Sequence, residues 1–452
     1  MCDEKKYRVK NYIHFDNRKK FRIVKDYVTN PNKVSLHSFL PFIQFTVRSE
    51  KYIDTRIDKK NERPIKEKLR NIMYAGHLDN FIYKYYADEF LNKKYNAWCE
   101  HYEIDDCSIA YRNNKKGKSN IDSAAEVIND IVCFKEAYIF VGDFKEFFDR
   151  IDHRLLKERL KTVLDVESLS KDWFNIYKSV TKYGYYYKAQ LKEQFGTDKQ
   201  LRQEKRFSYF NQLKEFREFQ RETPCHKNEQ TIGIPQGTAI SAVFANVYAI
   251  EFDSGMKVIA NKFEGRYRRY SDDFILIIPK KSINLIVKDS QVQQIESEVK
   301  KLAQENKIII QNDKTKLLEF KNGVIRNVDS KKNDNLDYLG FIFDGKTVTM
   351  RGKSPYKFYR KAYKLIGRAV KIKEKKKLKK YPYRKRIYGL YTDLGISSGD
   401  FGNFITYGIR AQQKFDLISP LTDNRILQQI KHRKKKIEKK LGYRLHTRFN
   451  SN

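Results

Sequence analysis

Two adjacent carboxylates at the mouth of an apolar run constrain this chain most. The stretch is Tyr270-Ser271-Asp272-Asp273, preceded by Arg266-Tyr267-Arg268-Arg269 and followed by Phe274-Ile275-Leu276-Ile277-Ile278. An apolar run of that length reads as a buried strand and the Ser-Asp before it as a tight turn, which predicts a hairpin over 266–279. Paired carboxylates on rigid backbone are hard oxygen ligands, the kind Mg²⁺ takes while keeping substrate phosphates as its others. The bland alternative is an acidic β-turn on a basic protein. A motif this short does not choose between them, so the rest of the chain has to.

A second strand also ends on an acid. Ala137-Tyr138-Ile139-Phe140-Val141-Gly142-Asp143 is apolar up to its last residue, and Phe144-Lys145-Glu146-Phe147-Phe148-Asp149 leads into a helix over 155–164. The carboxyl end of a strand is where α/β proteins place their chemistry. Asp149, Asp152 and His153 read as helix-start and packing residues. Between the acids, Gly233-Ile234-Pro235-Gln236-Gly237 opens a helix rich in small residues, which allows close approach of backbone or substrate. Downstream come Asn312-Asp313-Lys314-Thr315-Lys316 and Tyr338-Leu339-Gly340-Phe341.

These five blocks, in this order, resemble a reverse transcriptase over about residues 63–345. The resemblance implies an α/β (α+β) right-hand polymerase with fingers, a ferredoxin-like palm and a helical thumb. It implies two Mg²⁺ ions, with Mn²⁺ as a substitute, held by Asp143, Asp272 and Asp273. Phe148 matches the bulky aromatic that excludes a 2′-hydroxyl, and Gln236 the residue that positions template and nucleotide. Lys314 matches a cation at the pyrophosphate. In the fingers, Arg70, Lys66 and Lys68 are the nearest matches to residues that meet the incoming triphosphate, and Arg112 to one that touches template. Each fingers cation is equally well an exposed helix-start residue.

The charge fits a polyanionic partner. Lys and Arg total 93 against 56 acidic residues, a net charge of +37, interleaved with 31 Tyr and 30 Phe. Phosphate neutralisation supplies most sequence-independent nucleic-acid affinity, and rings among basic residues offer stacking surfaces for unpaired bases. Ten basic residues and one acidic lie in 371–386, and seven basic and one acidic in 431–440. Such runs are solvated faces or grips on a duplex or structured RNA. Neither has an apolar face large enough to enter a membrane. Cys2, Cys99, Cys107, Cys133 and Cys225 are scattered, with no zinc spacing, and read as reduced thiols of a cytoplasmic protein. No run of about 20 apolar residues is present.

Four regions are expected: a basic N-terminal extension (1–62), fingers (63–136), palm (137–345) and a helical, basic thumb (346–452). Helices are predicted from about Leu69 to Phe90, over 239–262, 291–305 and the amphipathic run 200–222. A strand is predicted over 307–311 and hairpins at 266–279 and 336–350. The polar, basic stretch at about 180–230 reads as a palm insertion that binds RNA, forms a homo-oligomer contact, or does neither. Phe358-Tyr359-Arg360-Lys361-Ala362-Tyr363 and Gly402–Ala411 are similar to thumb segments of bacterial defence-associated and abortive-infection reverse transcriptases. The retron pattern fits less well: Asn96-Ala97-Trp98-Cys99-Glu100-His101 has one residue too many, and a Val-Thr-Gly block is absent.

The leading expectation is an RNA-directed DNA polymerase of anti-phage defence, taking dNTPs, a dedicated non-coding RNA template and a DNA product. A catalytically silent RNA-binding scaffold and a mobile-element enzyme remain as alternatives. Priming from a tyrosine and untemplated synthesis stay open.

Overall fold

A computed structural model of the chain describes residues 6–52, 65–115, 117–283, 288–391 and 402–444. In chain order its strands are β1 (Phe42–Tyr52), β2 (Ile65–Tyr74), β3 (Glu136–Asp143), β4 (Gly184–Tyr187), β5 (His226–Lys227), β6 (Arg266–Tyr270) and β7 (Asp273–Pro279). There follow β8 (Lys316–Lys321), β9 (Val324–Asn327), β10 (Leu336–Tyr338), β11 (Phe341–Phe343), β12 (Thr347–Met350) and β13 (Asp423–Asn424).

The central sheet runs β6-β7-β3-β8-β9, antiparallel throughout. Alternate side chains of a strand point to opposite faces. Tyr138, Phe140, Phe274, Leu276 and Ile278 therefore enter one core, with the helices His153–Leu164, Ala239–Tyr248, Ile250–Lys262 and Lys288–Glu305. Ala137, Ile139, Ile275 and Ile277 enter a second, with the helices Asn120–Cys133 and Phe404–Ile418. Burial on both faces is why β7 is a continuous apolar run. The result is a mixed α/β architecture, as expected.

Local signals set the helix starts beside the site. Asp152 accepts from the Leu155 N–H at 2.9 Å, capping the helix that begins at His153. His153 packs with its ring nitrogen 2.7 Å from the Gly233 carbonyl. Both residues play the packing and helix-start parts read from the sequence.

Four expectations change. The helix anticipated from Leu69 is strand β2, and helix begins only at His77. The pairing that decides this is with β1, from Ile43↔Tyr74 to Tyr52↔Ile65, and it satisfies β2's backbone groups in a sheet. The 307–311 segment forms one bridge, Phe144↔Ile310, because its backbone is spent on the loop after Asp143. The 239–262 helix breaks at Ala249, where buried Arg159 donates to the Tyr248 carbonyl. The 200–222 run splits into Asp198–Gln203 and Leu213–Glu222, with Lys205 at φ +58° between them.

Residues 180–230 do not hang from the palm alone. Strands β4 and β5 complete a second sheet, β2-β1-β4-β5, with the N-terminal hairpin. Ile13, Phe15, Ile43, Tyr186, Leu201, Phe216 and their neighbours form its own core. The hairpin itself straddles position 62. Toward the C-terminus, helices Lys353–Lys375, Arg384–Tyr391 and Ile426–Leu441 share a core, and β10-β11-β12-β13 pack into the core on the second face of the central sheet. Among the described residues no helix is long and apolar enough to cross a membrane.

Candidate active site

Antiparallel register sets Asp143 of β3 directly opposite Asp273 of β7. Asp272 occupies the turn beside them, its carbonyl accepting from the Phe144 N–H at 2.8 Å. Two strand ends and one two-residue turn thus bring together all three acids that the sequence singled out. Ser271, the other turn residue, has φ +60°, a left-handed conformation that a non-glycine residue keeps only when its surroundings hold it. Its hydroxyl lies 3.2 Å from the Tyr111 hydroxyl, and its carbonyl accepts from Arg269 Nη1 at 2.9 Å.

The acids repel one another. Burial, followed by the charges of Asp272 and Asp143 and a hydrogen bond with Asp143, pushes the Asp273 carboxyl up to about 7, with Lys314 acting the other way. Lys314 Nζ stands 2.7 Å from Asp143 Oδ1. Among the described residues, no three acidic, imidazole or thiol groups already stand in ligating positions. The donor set nonetheless fits hard divalent cations: the charges of Asp143 and Asp272 raise the proton affinity of Asp273, and a lysine stands against Asp143. Cation binding relieves the same repulsion.

The Gly/Pro loop is bonded to the turn that follows Asp143, through Phe148 and Ile151. The Phe148 carbonyl accepts from the Ile234 N–H at 2.9 Å, and Phe148 itself is 9% exposed, packed in the 3₁₀ turn Phe147–Arg150. The Gln236 carbonyl accepts from the Met73 N–H at 2.9 Å, so the loop extends the edge of β2. Gly237 is required there: at φ +134°, a Cβ would lie 2.3 Å from the Met73 carbonyl oxygen.

Arg70 is exposed on β2, paired with Val47 and two residues from Ile72, which borders Gly237. It is therefore a strand residue, not a helix-start cation. Lys66 and Lys68 lie on the same strand, and their side chains fall outside the described residues. Arg112 is corrected outright: its side chain is inaccessible. It donates to Asn96 Oδ1 at 2.8 Å and to the Asp105 carbonyl at 2.7 Å, pairs with the Asp105 carboxylate, and stacks on Tyr95. It braces the segment 95–112, and its side chain is closed off from any template.

Residues 110–343 match the family model described as reverse transcriptase (RNA-dependent DNA polymerase), which spans the acids, the Gly/Pro loop, Lys314 and Tyr338–Phe341. The chain belongs to the reverse transcriptase family. No curated protein matches the sequence closely enough to add to this. Solved structures similar to it include the telomerase of Candida albicans with the TWJ fragment of telomeric RNA, at 14% identity and TM-score 0.40, covering 92% of this chain and 65% of that one. Another is the apo telomerase of Candida tropicalis, at 13% identity and TM-score 0.40, with coverages of 96% and 67%. A third is the same apo enzyme truncated of its C-terminal domain, at 15% and 0.38, with coverages of 74% and 62%. The chain thus spans roughly two thirds or less of the telomerase chains.

Sequence reasoning missed what holds the reverse transcriptase hairpin in place. Arg269 looked like one cation of a basic stretch, yet it is 0% exposed. Its Nε and Nη2 donate to the two carboxylate oxygens of Asp253 at 2.7 Å each, and the Tyr267 hydroxyl donates to the same carboxylate at 2.8 Å. Burial alone would lower the guanidinium's proton affinity, but Asp253 overrides it and the net direction is up. The available signal was alternation: Arg269 shares a strand face with Tyr267, which is buried, while Arg266 and Arg268 alternate outward.

Proposed function

We propose that this chain is an RNA-directed DNA polymerase that adds deoxynucleotides by metal-dependent nucleotidyl transfer. The observation that carries the reading is the direct opposition of Asp143 and Asp273 across β3 and β7, with Asp272 in the adjoining turn. Asp143, Asp272 and Asp273 would hold two divalent ions, Mg²⁺ or Mn²⁺. Bound there, such ions offset charge on the phosphate oxygens during in-line displacement by the primer hydroxyl.

The remaining roles fall to side chains around the acids. Lys314, already beside Asp143, offers positive charge and a proton to the departing pyrophosphate. The Phe148 ring sits one loop away, where it would crowd a 2′-hydroxyl. Gln236, fixed through its backbone to β2, presents its side chain to the nascent base pair. Arg70 is an exposed cation near that loop for the triphosphate. The basic thumb helices would grip the template–product duplex.

In its finer form the reading is a bacterial anti-phage defence enzyme that copies a dedicated non-coding RNA, supported by the thumb segments 358–363 and 402–411. Incorporation of labelled deoxynucleotides by the purified protein with its co-purifying RNA, beside Asp272→Ala, tests the core of it. Divalent-dependent product that vanishes in the variant supports the polymerase. No product with Mg²⁺ or Mn²⁺ and varied RNA overturns it in favour of a silent scaffold. Sequencing the product, and scoring phage protection with and without Asp272→Ala, tests the template and the defence role.

A further inference from the structure

The sheet β2-β1-β4-β5 has two unlike faces. Tyr186, paired with Ile43, points into the core shared with Phe15 and Phe216. Tyr185 and Tyr187, paired with Phe42 and Gln44, point the other way, and so does His226, paired with Tyr185. On that second face Tyr187 and His226 are exposed and Tyr185 is half-buried. The three rings touch: Tyr185 and His226 are stacked, with centroids 5.3 Å apart and planes at 29°, and Tyr187 stands edge-on at 5.4 Å and 4.9 Å. The tyrosine hydroxyls are 3.5 Å apart.

This cluster is joined to the active site through backbone on both sides. From His226 the chain passes Asn228, whose amide donates to the Thr181 and Ile232 carbonyls at 3.0 and 3.1 Å, and runs straight into Gly233–Gly237. On the other side β4 pairs with β1, β1 with β2, and the Met73 N–H of β2 with the Gln236 carbonyl. Three neighbouring strands span about 10 Å, so the rings lie within two or three nucleotides of that loop. Arg48 is exposed on the same face.

We propose that Tyr185, Tyr187 and His226 form a stacking site for unpaired bases of the strand about to be copied, immediately ahead of the Pro-Gln-Gly loop. The proposal rests on the polymerase reading above. Rings stack on any base because every base has a π-face, and a base within a duplex has both of its faces occupied already, so the ligand is single-stranded. Arg48 meets its phosphates. The chemistry favours nucleic acid over a peptide: a chain of net charge +37 attracts a polyanion, and the exposed rings of Tyr187 and His226 suit flat bases. The 180–230 segment, on this account, is a template-handling device.

The test is binding of the full chain to primer–template duplexes carrying either one or ten unpaired template nucleotides, read by fluorescence anisotropy beside primer extension. Two paired variants are compared, Tyr185→Ala with Tyr187→Ala, and Tyr185→Phe with Tyr187→Phe. Wild type should bind the long overhang more tightly than the short one, by about tenfold or more for stacked bases. The alanine pair should erase that difference while binding the short overhang as wild type does, and the phenylalanine pair should keep it. No overhang preference in wild type, a preference that survives the alanine pair, or equal loss in both pairs overturns the proposal. Should the short-overhang duplex be bound but never extended, the polymerase reading falls while the stacking site is still scored, because binding needs no turnover.

Discussion

Arg269 and Asp253 form a bidentate ion pair with neither side chain exposed, and the same guanidinium holds the carbonyl of Ser271 in the acidic turn. A buried charge stripped of its partner is far more costly than the pair is stabilising. The acidic turn is therefore fastened to the helix Ile250–Lys262 by a contact that cannot be loosened by halves.

Arg269→Ala should lower stability by about 3–5 kcal/mol, because Asp253 is left buried and unpaired. The double variant Arg269→Met with Asp253→Leu should recover most of that melting temperature. It should not recover incorporation, since nothing then holds the Ser271 carbonyl. Melting curves and single-turnover incorporation on the same samples separate the two effects; a double variant with full activity would remove Arg269 from its positioning role.

Asp273 gives stability a pH dependence in the metal-free protein. Its carboxyl is pushed up to about 7, above the ordinary value of about 3.9, so the folded state binds this proton more tightly than the unfolded chain. That contribution favours folding at low pH and is lost as pH rises from about 4 to 7. With chelator present, Asp273→Asn should melt above wild type at pH 8, and the gap should shrink toward pH 5. Added Mg²⁺ should narrow the gap at pH 8 by stabilising wild type. Melting temperatures across pH, with and without the ion, check the sign.

Gly237→Ala places a methyl group 2.3 Å from the Met73 carbonyl oxygen in a left-handed backbone. The strain is on the order of 1–3 kcal/mol, and it falls on the junction between the loop and β2. Primer extension should drop more steeply than melting temperature, with the loss concentrated in the KM for the nucleotide.

Phe148→Val removes ring bulk while keeping the backbone bond to Ile234. Incorporation of ribonucleotides relative to deoxynucleotides should rise by about tenfold, a step worth about 1.4 kcal/mol in transition-state energy. Competition between labelled rNTP and dNTP on one template measures it. An unchanged ratio would leave Phe148 a core residue only.

The acids were legible because their chemistry is written over a few consecutive residues. An apolar run that ends on Asp143, and another that begins after Asp273, announce strand ends and the carboxylates on them. The Asp152 cap and the helices around it were legible for the same reason. What could not be read was pairing between distant segments. Leu69 and Met73 are four residues apart and suit a helix face, and only β1, which pairs with β2 from residues 42–52, makes them strand. Arg112 and Arg269 look like surface cations until Asp105 and Asp253 are brought against them.

The 180–230 stretch looked like an addition to the palm, yet β4 found its partner more than 130 residues upstream in β1, and β5 pairs with β4. The sequence by itself determined the three acids and the strands that carry them, the polymerase order of its blocks and the basic character of the chain, because these are properties of residues and their near neighbours. Tertiary structure decided which cations are buried, what fastens the acidic turn, and that the N-terminal hairpin and the insertion share one sheet. Those outcomes depend on contacts that close long loops, and local pattern carries no record of which distant segment satisfies a strand's hydrogen bonds or a buried charge.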